Sequence, residues 1–232
     1  TLPVAGESPY QSPSAFAGNP LFIDLDALVD DGWLDEGDLR PTPEFPTDRV
    51  DYDAVRGYKL PLLRTAFDRF EERATEEDRA ALDAFREREP WLADYALFRA
   101  LSVAQPEDVW TEWPEPLRTR DPEALAGARE EHAQETRFRE FVQWTFDRQW
   151  RDLRAVAAEA GVSIVGDVPI YVALDSADVW ANPEAFQLDE GNRPTVVAGV
   201  PPNPGDDGQR WGNPLYDWER LAETGYDWWL AR

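Results

Sequence analysis

Between Tyr52 and Arg99, apolar side chains return every three or four positions. Leu60, Leu63, Phe67 and Phe70 are the clearest run, with charges between them. That period matches one buried face of an α-helix and predicts helices through most of the stretch. Thr75, followed by Glu76, Glu77 and Asp78, predicts a helix start with Thr75 as N-cap and an acid three residues on. Trp91, Tyr95, Phe98 and Leu101 form a second stripe. Prolines and tryptophans in EDVWTEWPEPL, residues 107–117, predict an interruption of defined shape. One long helix is expected from about Pro122 to Ala160. Phe138, Phe141, Val142, Thr145, Phe146, Gln149, Trp150 and Leu153 lie along one face, and Gly161 closes it. All of these stripes are read as core.

The pattern then changes. Val162-Ser163-Ile164-Val165 is a short β-branched run bounded by glycines, which predicts a buried strand. A helix, a glycine, a buried strand and then a polar residue make up the repeating unit of a parallel-sheet α/β protein. In such folds the C-terminal strand ends form the active-site rim, and Asp167 stands there. The plainer alternative for Asp167 is a loop carboxylate capping backbone amides. Elsewhere, LDALVDDGWL predicts a short helix ending near Gly32, and the prolines of residues 40–50 predict a connection. Asp175-Ser176-Ala177-Asp178 predicts a helix start, LDEGNRP a tight turn between short strands, and residues 215–232 the beginning of another helix.

Residues 199–218, GVPPNPGDDGQRWGNPLYDW, mix prolines and glycines with Trp211, Tyr216 and Trp218. Proline fixes φ and glycine opens conformations closed to other residues, so an irregular loop of specified shape is expected. Gln209, Arg210, Trp211 and Asn213 would let it offer a flat ring and several hydrogen-bonding groups to one ligand. Sugars match that combination, with C–H faces for a ring and hydroxyls for polar groups. The alternative is a structural loop whose tryptophans fill the core.

Composition narrows the chemistry. Forty-seven acidic against 23 basic residues give a net charge of −24 over 232 residues. That field repels nucleic acid and anionic lipid, so neither is an expected partner. The acids are spread along the chain, which suits a surface adapted to high salt. Lys59 is the single lysine, and the other bases are arginine. Without cysteine, thiolate catalysis and disulfides are excluded. The lone histidine, His132, lies in a charged helical run and is expected at the surface. Any catalysis would fall to carboxylates. No apolar run approaches the roughly 18 residues of a membrane span. The chain lacks methionine, opens on Thr1-Leu2-Pro3 and stops in Trp228-Trp229-Leu230, so an internal fragment is expected.

SPYQSPSAFAGNP, VGDVPIYVALDSADVWANPEAF and GVPPNPGDDGQRWGNPLYDW, in this order, resemble successive signatures of the 4-alpha-glucanotransferases, the amylomaltase or disproportionating-enzyme family related to the α-amylases. FREREPWLADYALFRAL and QWTFDRQWRDLRAVAAEAGVSIVGD resemble it too, so the likeness covers nearly the whole chain. The resemblance implies part of a (β/α)8 TIM barrel with an inserted, mainly helical subdomain. Its division would be an early barrel segment and substrate loop over 1–39, a helical insertion over 40–155, and a barrel strand, glucan loop and next helix over 156–232.

The implied activity is transfer of α-1,4-glucan segments between maltooligosaccharides through a covalent intermediate, with no cofactor and no metal, in the cytoplasm. Retaining transfer needs two carboxylates roughly 5 Å apart. In the family the nucleophile belongs to an Arg-x-Asp-His-Phe-Arg-Gly type motif that does not occur here, so the catalytic carboxylates are expected beyond Arg232. The resemblance implies substrate binding by Tyr10, Asp167, Gln209, Trp211 and Asn213, with Trp211 as stacking platform. Two departures stand out. Only Ala5-Gly6-Glu7 separates Leu2-Pro3-Val4 from SPYQ, where the family has a longer glycine-rich segment, and Asn203-Pro204-Gly205-Asp206-Asp207 replaces a longer segment carrying an aromatic. The competing readings are an amylase-like α-glucan hydrolase, a non-catalytic glucan-binding module and an acidic interaction protein.

The dispersed acidity generates a prediction. Raising sodium chloride from 0.1 M toward molar concentrations should raise the thermal unfolding midpoint, monitored by circular dichroism. An unchanged midpoint would rule out the high-salt reading.

Overall fold

The computed structural model describes residues 11–107 and 109–232. In chain order its helices are α1 (Leu25–Asp30), α2 (Tyr52–Arg73), α3 (Glu76–Arg88), α4 (Trp91–Ala104), α5 (Glu115–Arg118), α6 (Pro122–Glu131), α7 (Ala133–Glu159) and α8 (Ala177–Ala181). The antiparallel strands β1 (Val197–Val200) and β2 (Gln209–Pro214) follow, then α9 (Trp218–Glu223) and α10 (Asp227–Leu230). Two compact units emerge. One comprises Gly18–Ala93 and Arg137–Gly166; the other comprises residues 11–17, Asp94–Thr136 and Asp167–Arg232.

The first unit is built around aromatic rings. Leu63, Phe67 and Phe70 of α2 are buried, as are Phe138, Phe141 and Trp144 of α7. Phe70 meets Phe141 at a centroid distance of 5.0 Å and Trp33 at 5.2 Å. Trp33 enters this cluster because α1 stops sharply: Gly32 has φ +76°, and the Trp33 N–H donates to Leu28 O at 2.9 Å. Thr75 caps α3 through a reciprocal capping box with Asp78. Lys59 donates to Leu21 O at 2.8 Å and Ile23 O at 2.7 Å, and burial pushes its pKa down.

Two glutamines of α7 hold the segment that enters this unit. Gln143, 2% exposed, accepts the Gly18 N–H at 2.8 Å and donates to Gly18 O at 3.0 Å. Gln149 does the same for Asp24, at 2.7 and 3.0 Å. Each amide matches both backbone groups of one residue. Gly18 also admits no side chain, since a Cβ there would lie 2.1 Å from the Phe146 ring.

The second unit buries Phe98, Trp110, Trp113, Trp180 and Tyr216. The Trp110 indole donates to Leu174 O at 2.7 Å, and that of Trp180 to Leu117 O at 3.0 Å. Arg120 lies 4.3 Å over the Trp180 ring and pairs with Asp94 at 2.8 Å.

Several expectations are corrected. The helix expected over 122–160 is two helices, because backbone angles at His132 (φ −105°, ψ 22°) separate α6 from α7, and His132 is half-buried rather than fully at the surface. Toward the end of α7, Trp150 and Leu153 are exposed. Gly161 does close α7, with φ +70° and the Val162 N–H donating to Ala157 O. Residues 162–165, expected as a buried strand, are exposed and join no ladder. A parallel strand needs neighbours, and among the described residues the only sheet is the β1–β2 hairpin. Residues 199–218 are mainly this hairpin rather than an irregular loop. Residues 215–232 hold two short helices, parted at Gly225 and Tyr226, both with positive φ. Among the described residues no helix is long and apolar enough to cross a membrane.

The glutamine clamps set an expected stability order. Gln143→Leu leaves two buried backbone groups without partners and should cost roughly 2–4 kcal/mol in urea unfolding. Gln149→Leu, at a wetter position, should cost about 1 kcal/mol. Equal losses would contradict the assignment.

Candidate functional site: a cleft beside Trp211

The hairpin shapes the site through a break in its register. Val197 pairs with Pro214, while Gly199 pairs with Arg210 and Val200 with Gln209. One residue of β1, Ala198, therefore faces three of β2: Trp211, Gly212 and Asn213. Such a bulge bends a strand and re-aims its side chains. Gly212 supplies the required backbone, with φ +81°. The strands approach closely here, and a Cβ on Gly199 would fall 2.2 Å from Gln209 O.

The bulge faces residues 167–172, which have no ladder hydrogen bonds of their own. Side chains take up their carbonyls instead. Arg232 donates to Pro169 O, Tyr216 Oη to Ile170 O at 3.0 Å, and Asn213 Nδ2 to Val172 O at 2.8 Å. Tyr216 is 2% exposed and packs on Trp229 at 5.0 Å and Phe186 at 5.2 Å. Burial, opposed by Arg232, pushes its hydroxyl up to about 12, so it remains a neutral donor.

Between these walls lies a cleft of about 700 Å³, lined by Gln11, Asp167, Val168, Ile170, Tyr171, Arg210, Trp211 and Asn213. Trp211 is 41% exposed, yet its Nε1–H is fixed on Gln209 Oε1 at 2.9 Å and its ring meets Tyr171 at 6.3 Å. The result is an oriented indole face beside a carboxylate, a guanidinium and amides. That arrangement can stack one side of a ring and hydrogen-bond the groups at its edge. Among the described residues no group of three or more His, Asp or Glu is placed to hold a metal.

Of the residues singled out from sequence, Asp167, Trp211 and Asn213 come together in this cleft. Gln209 does not line it and acts one step back, through the Trp211 indole. Asn213 is 4% exposed and also buttresses Val172. Tyr10 lies outside the described residues. Arg210, picked out with Gln209, Trp211 and Asn213 as a hydrogen-bonding group of the loop, lines the cleft too; sequence reasoning missed Gln11 and Tyr171. Each sits within four residues of a residue that was named, but nothing in the pattern said which neighbours would face the cleft.

Segment 11–17 reaches the cleft because it is pinned to the start of α8. Asp178, 4% exposed, accepts the Ala15 N–H at 2.7 Å, and the Ala177 N–H donates to Pro13 O at 2.9 Å. From there Gln11 Nε2 reaches Trp211 O at 3.4 Å.

A 4-alpha-glucanotransferase family model matches residues 1–232. The chain belongs to the 4-alpha-glucanotransferase family. It is 52% identical over 229 residues to the 4-alpha-glucanotransferase of Thermus thermophilus, covering 98% of this chain and 45% of that protein. The Synechocystis sp. 4-alpha-glucanotransferase is 44% identical over 232 residues, covering 98% of this chain and 46% of that one. An amylomaltase from Streptococcus agalactiae, solved in complex with acarbose, superposes with TM-score 0.90 at 37% identity. That match covers 99% of this chain and 47% of the amylomaltase. The chain thus spans about half the length of the relatives it matches, and its fold is part of a (β/α)8 barrel with inserted helices.

Asp178 generates a pH prediction. Burial raises its pKa from 3.8 to about 6, against the Ala15 N–H and Arg232, which lower it. The folded chain therefore holds a proton, between these two pH values, that the unfolded chain releases. Stability from this group is full below pH 3.8, falls as pH rises toward 6 by about 3 kcal/mol, and is flat above. Asp178→Asn keeps an oxygen for Ala15 without a titration. The wild-type minus variant unfolding free energy should drop between pH 4 and 6; a constant difference would contradict the prediction.

Proposed function

We propose that this chain forms the acceptor-side glucan-binding wall of a 4-alpha-glucanotransferase, which moves α-1,4-glucan segments between maltooligosaccharides by retaining double displacement. The observation that carries this reading is the convergence of Asp167, Trp211 and Asn213 on one cleft, with the Trp211 indole oriented by Gln209. Trp211 stacks on the acceptor sugar. Asp167 accepts from sugar hydroxyls near the bond that breaks and Asn213 shapes the wall; the family resemblance adds Tyr10 as a substrate-binding residue. The acarbose carried by the similar amylomaltase supports an α-glucan as ligand.

The lining residues include one carboxylate, Asp167. Retaining transfer needs a nucleophile and an acid–base about 5 Å apart, and both are assigned to a part of the enzyme outside these 232 residues. A transferase must also favour a sugar hydroxyl over water in its second step. An oriented ring that holds the acceptor serves this by positioning it and excluding solvent. The same proposal includes a cytoplasmic location, no organic cofactor, no metal and a high-salt habitat. It divides the chain into a barrel segment over 1–39, a helical insertion over 40–155 and a barrel and glucan-loop segment over 156–232. A hydrolase is the second reading, favoured only by the Pro204-Gly205 turn at the hairpin tip, which carries no ring over the cleft.

Full-length enzyme incubated with maltotriose decides between the two. Longer and shorter oligosaccharides together mean transfer; shorter products alone, with new reducing ends, mean hydrolysis. Trp211→Ala should lower transfer roughly tenfold through the acceptor KM. Asp167→Asn should lower kcat/KM by about 10- to 100-fold. The 232-residue chain alone should show no disproportionation. Unchanged transfer in both variants would remove this cleft from the reaction.

A further inference from the structure

A separate groove of about 440 Å³ runs between α3 and α7, within the unit that holds both helices. Ala81, Ala84, Phe85 and Arg88 face it from α3, and Trp144, Asp147, Arg148 and Arg151 from α7. Positions three and four apart recur in each set, so each is one helix face. Phe85 and Trp144, 2% and 3% exposed, form an apolar floor, and the small side chains of Ala81 and Ala84 leave the space open. Arg88 and Arg151 meet on one oxygen, Asp147 Oδ2, at 2.8 and 3.1 Å. Two further acids anchor guanidiniums from outside the lining: Glu89 holds Arg88 at 3.0 Å, and Asp31 holds Arg148 at 3.0 Å. Arg148 also lies 4.9 Å from the Trp144 ring centre. Among the described residues Arg151 pairs with Asp147 alone, and its side chain is half exposed. The first turn of α3 brings Glu77 and Asp78 to the same groove, and Asp78 accepts from Thr75 through Oδ2.

We propose that this groove binds a phosphorylated sugar, its phosphate on the arginines and its hydroxyls turned toward Glu77 and Asp78. A guanidinium offers five donors in a fixed fork that matches phosphate oxygens. The ion pairs here use few of those donors and hold the forks in place before a ligand arrives. In a chain of net charge −24, three guanidiniums lining one groove are a local exception to the field. The acids at the first turn of α3 set the other half of the ligand. Ionised carboxylates only accept, so they repel a second anionic group and welcome hydroxyl donors. That combination selects one charged head on a neutral, hydroxyl-bearing body. The Phe85–Trp144 floor gives the C–H face of the body an apolar surface. The volume lies within the usual range for small-molecule sites. The groove shares no lining residue with the cleft beside Trp211, and the proposal stands whether or not that cleft handles glucans.

The test is isothermal titration calorimetry on the full-length enzyme with glucose 6-phosphate, inorganic phosphate and glucose. One salt concentration is kept throughout, because ions screen such contacts. Wild type should bind glucose 6-phosphate about tenfold more tightly than either of the other two. Arg151→Gln should weaken glucose 6-phosphate and inorganic phosphate alike, by about tenfold. Glu77→Gln should weaken glucose 6-phosphate about threefold and leave inorganic phosphate unchanged. Trp211→Ala should leave glucose 6-phosphate within about twofold of wild type. Both Arg151 and Glu77 lie on the rim of the groove, so each variant should keep the wild-type circular-dichroism spectrum. No heat from glucose 6-phosphate up to about 10 mM overturns the site. So does an affinity that ignores Arg151→Gln, or one that falls with Trp211→Ala, which would put the ligand in the other cleft. Equal binding of glucose and glucose 6-phosphate, or equal effects of Glu77→Gln on glucose 6-phosphate and inorganic phosphate, overturns the assignment of a phosphorylated sugar.

Discussion

The cleft depends on how residues 167–172 are held. An extended segment outside a sheet leaves its carbonyls unpaired, and an unpaired buried carbonyl is costly. Here Arg232, Tyr216 and Asn213 each donate to one of them. Side-chain donors thus do locally what a neighbouring strand would do in a ladder. Because Asn213 belongs to the bulge and Tyr216 follows it closely, the same few residues fix both walls. Asp167 and Trp211 stand on backbone that these bonds fix, and Gln209 then orients the Trp211 ring.

Burial of the donors gives this arrangement its stiffness. Tyr216 is the hub of an aromatic cluster that includes Trp218, Trp228 and Trp229. Its raised pKa keeps the hydroxyl protonated across the physiological range. Asp178 adds the third side, tying segment 11–17 to α8 through one backbone amide. A desolvated carboxylate is an expensive anchor. Its benefit is positional, since Gln11 borders the cleft from that segment.

The sequence made the helices readable because their information is local. Stripes at three and four spacing located α2 to α4, Thr75 marked a start, and Gly161 marked an end. Residues 162–165 were less legible: a β-branched run becomes a buried strand only when other strands flank it. The hairpin was concealed by its own chemistry, since Gly199, Gly208 and Gly212 read as loop residues when they actually permit close strands and a bulge. Asp167 was picked out at the end of the β-branched run and Trp211 and Asn213 in the proline- and glycine-rich loop, and the family resemblance pointed to the same three. The contacts of Asp178 with Ala15 and of Gln143 with Gly18 were not, because they join residues 163 and 125 positions apart. No window of neighbouring residues contains both partners.

The order of events along the hairpin has one further consequence. Travelling from the cleft outward, the bulge comes first, then the pairs Gly199–Arg210 and Val200–Gln209, and only then the Pro204-Gly205 tip. Those two closed pairs insulate Trp211 from whatever lies beyond them. The tip is therefore an interchangeable part: evolution can lengthen it, trim it or hang a ring on it while the platform keeps its register. Here it is a tight turn whose Asn203 and Asp206 exchange backbone hydrogen bonds at 3.0 and 2.9 Å, closed on itself and owing nothing to the platform behind it.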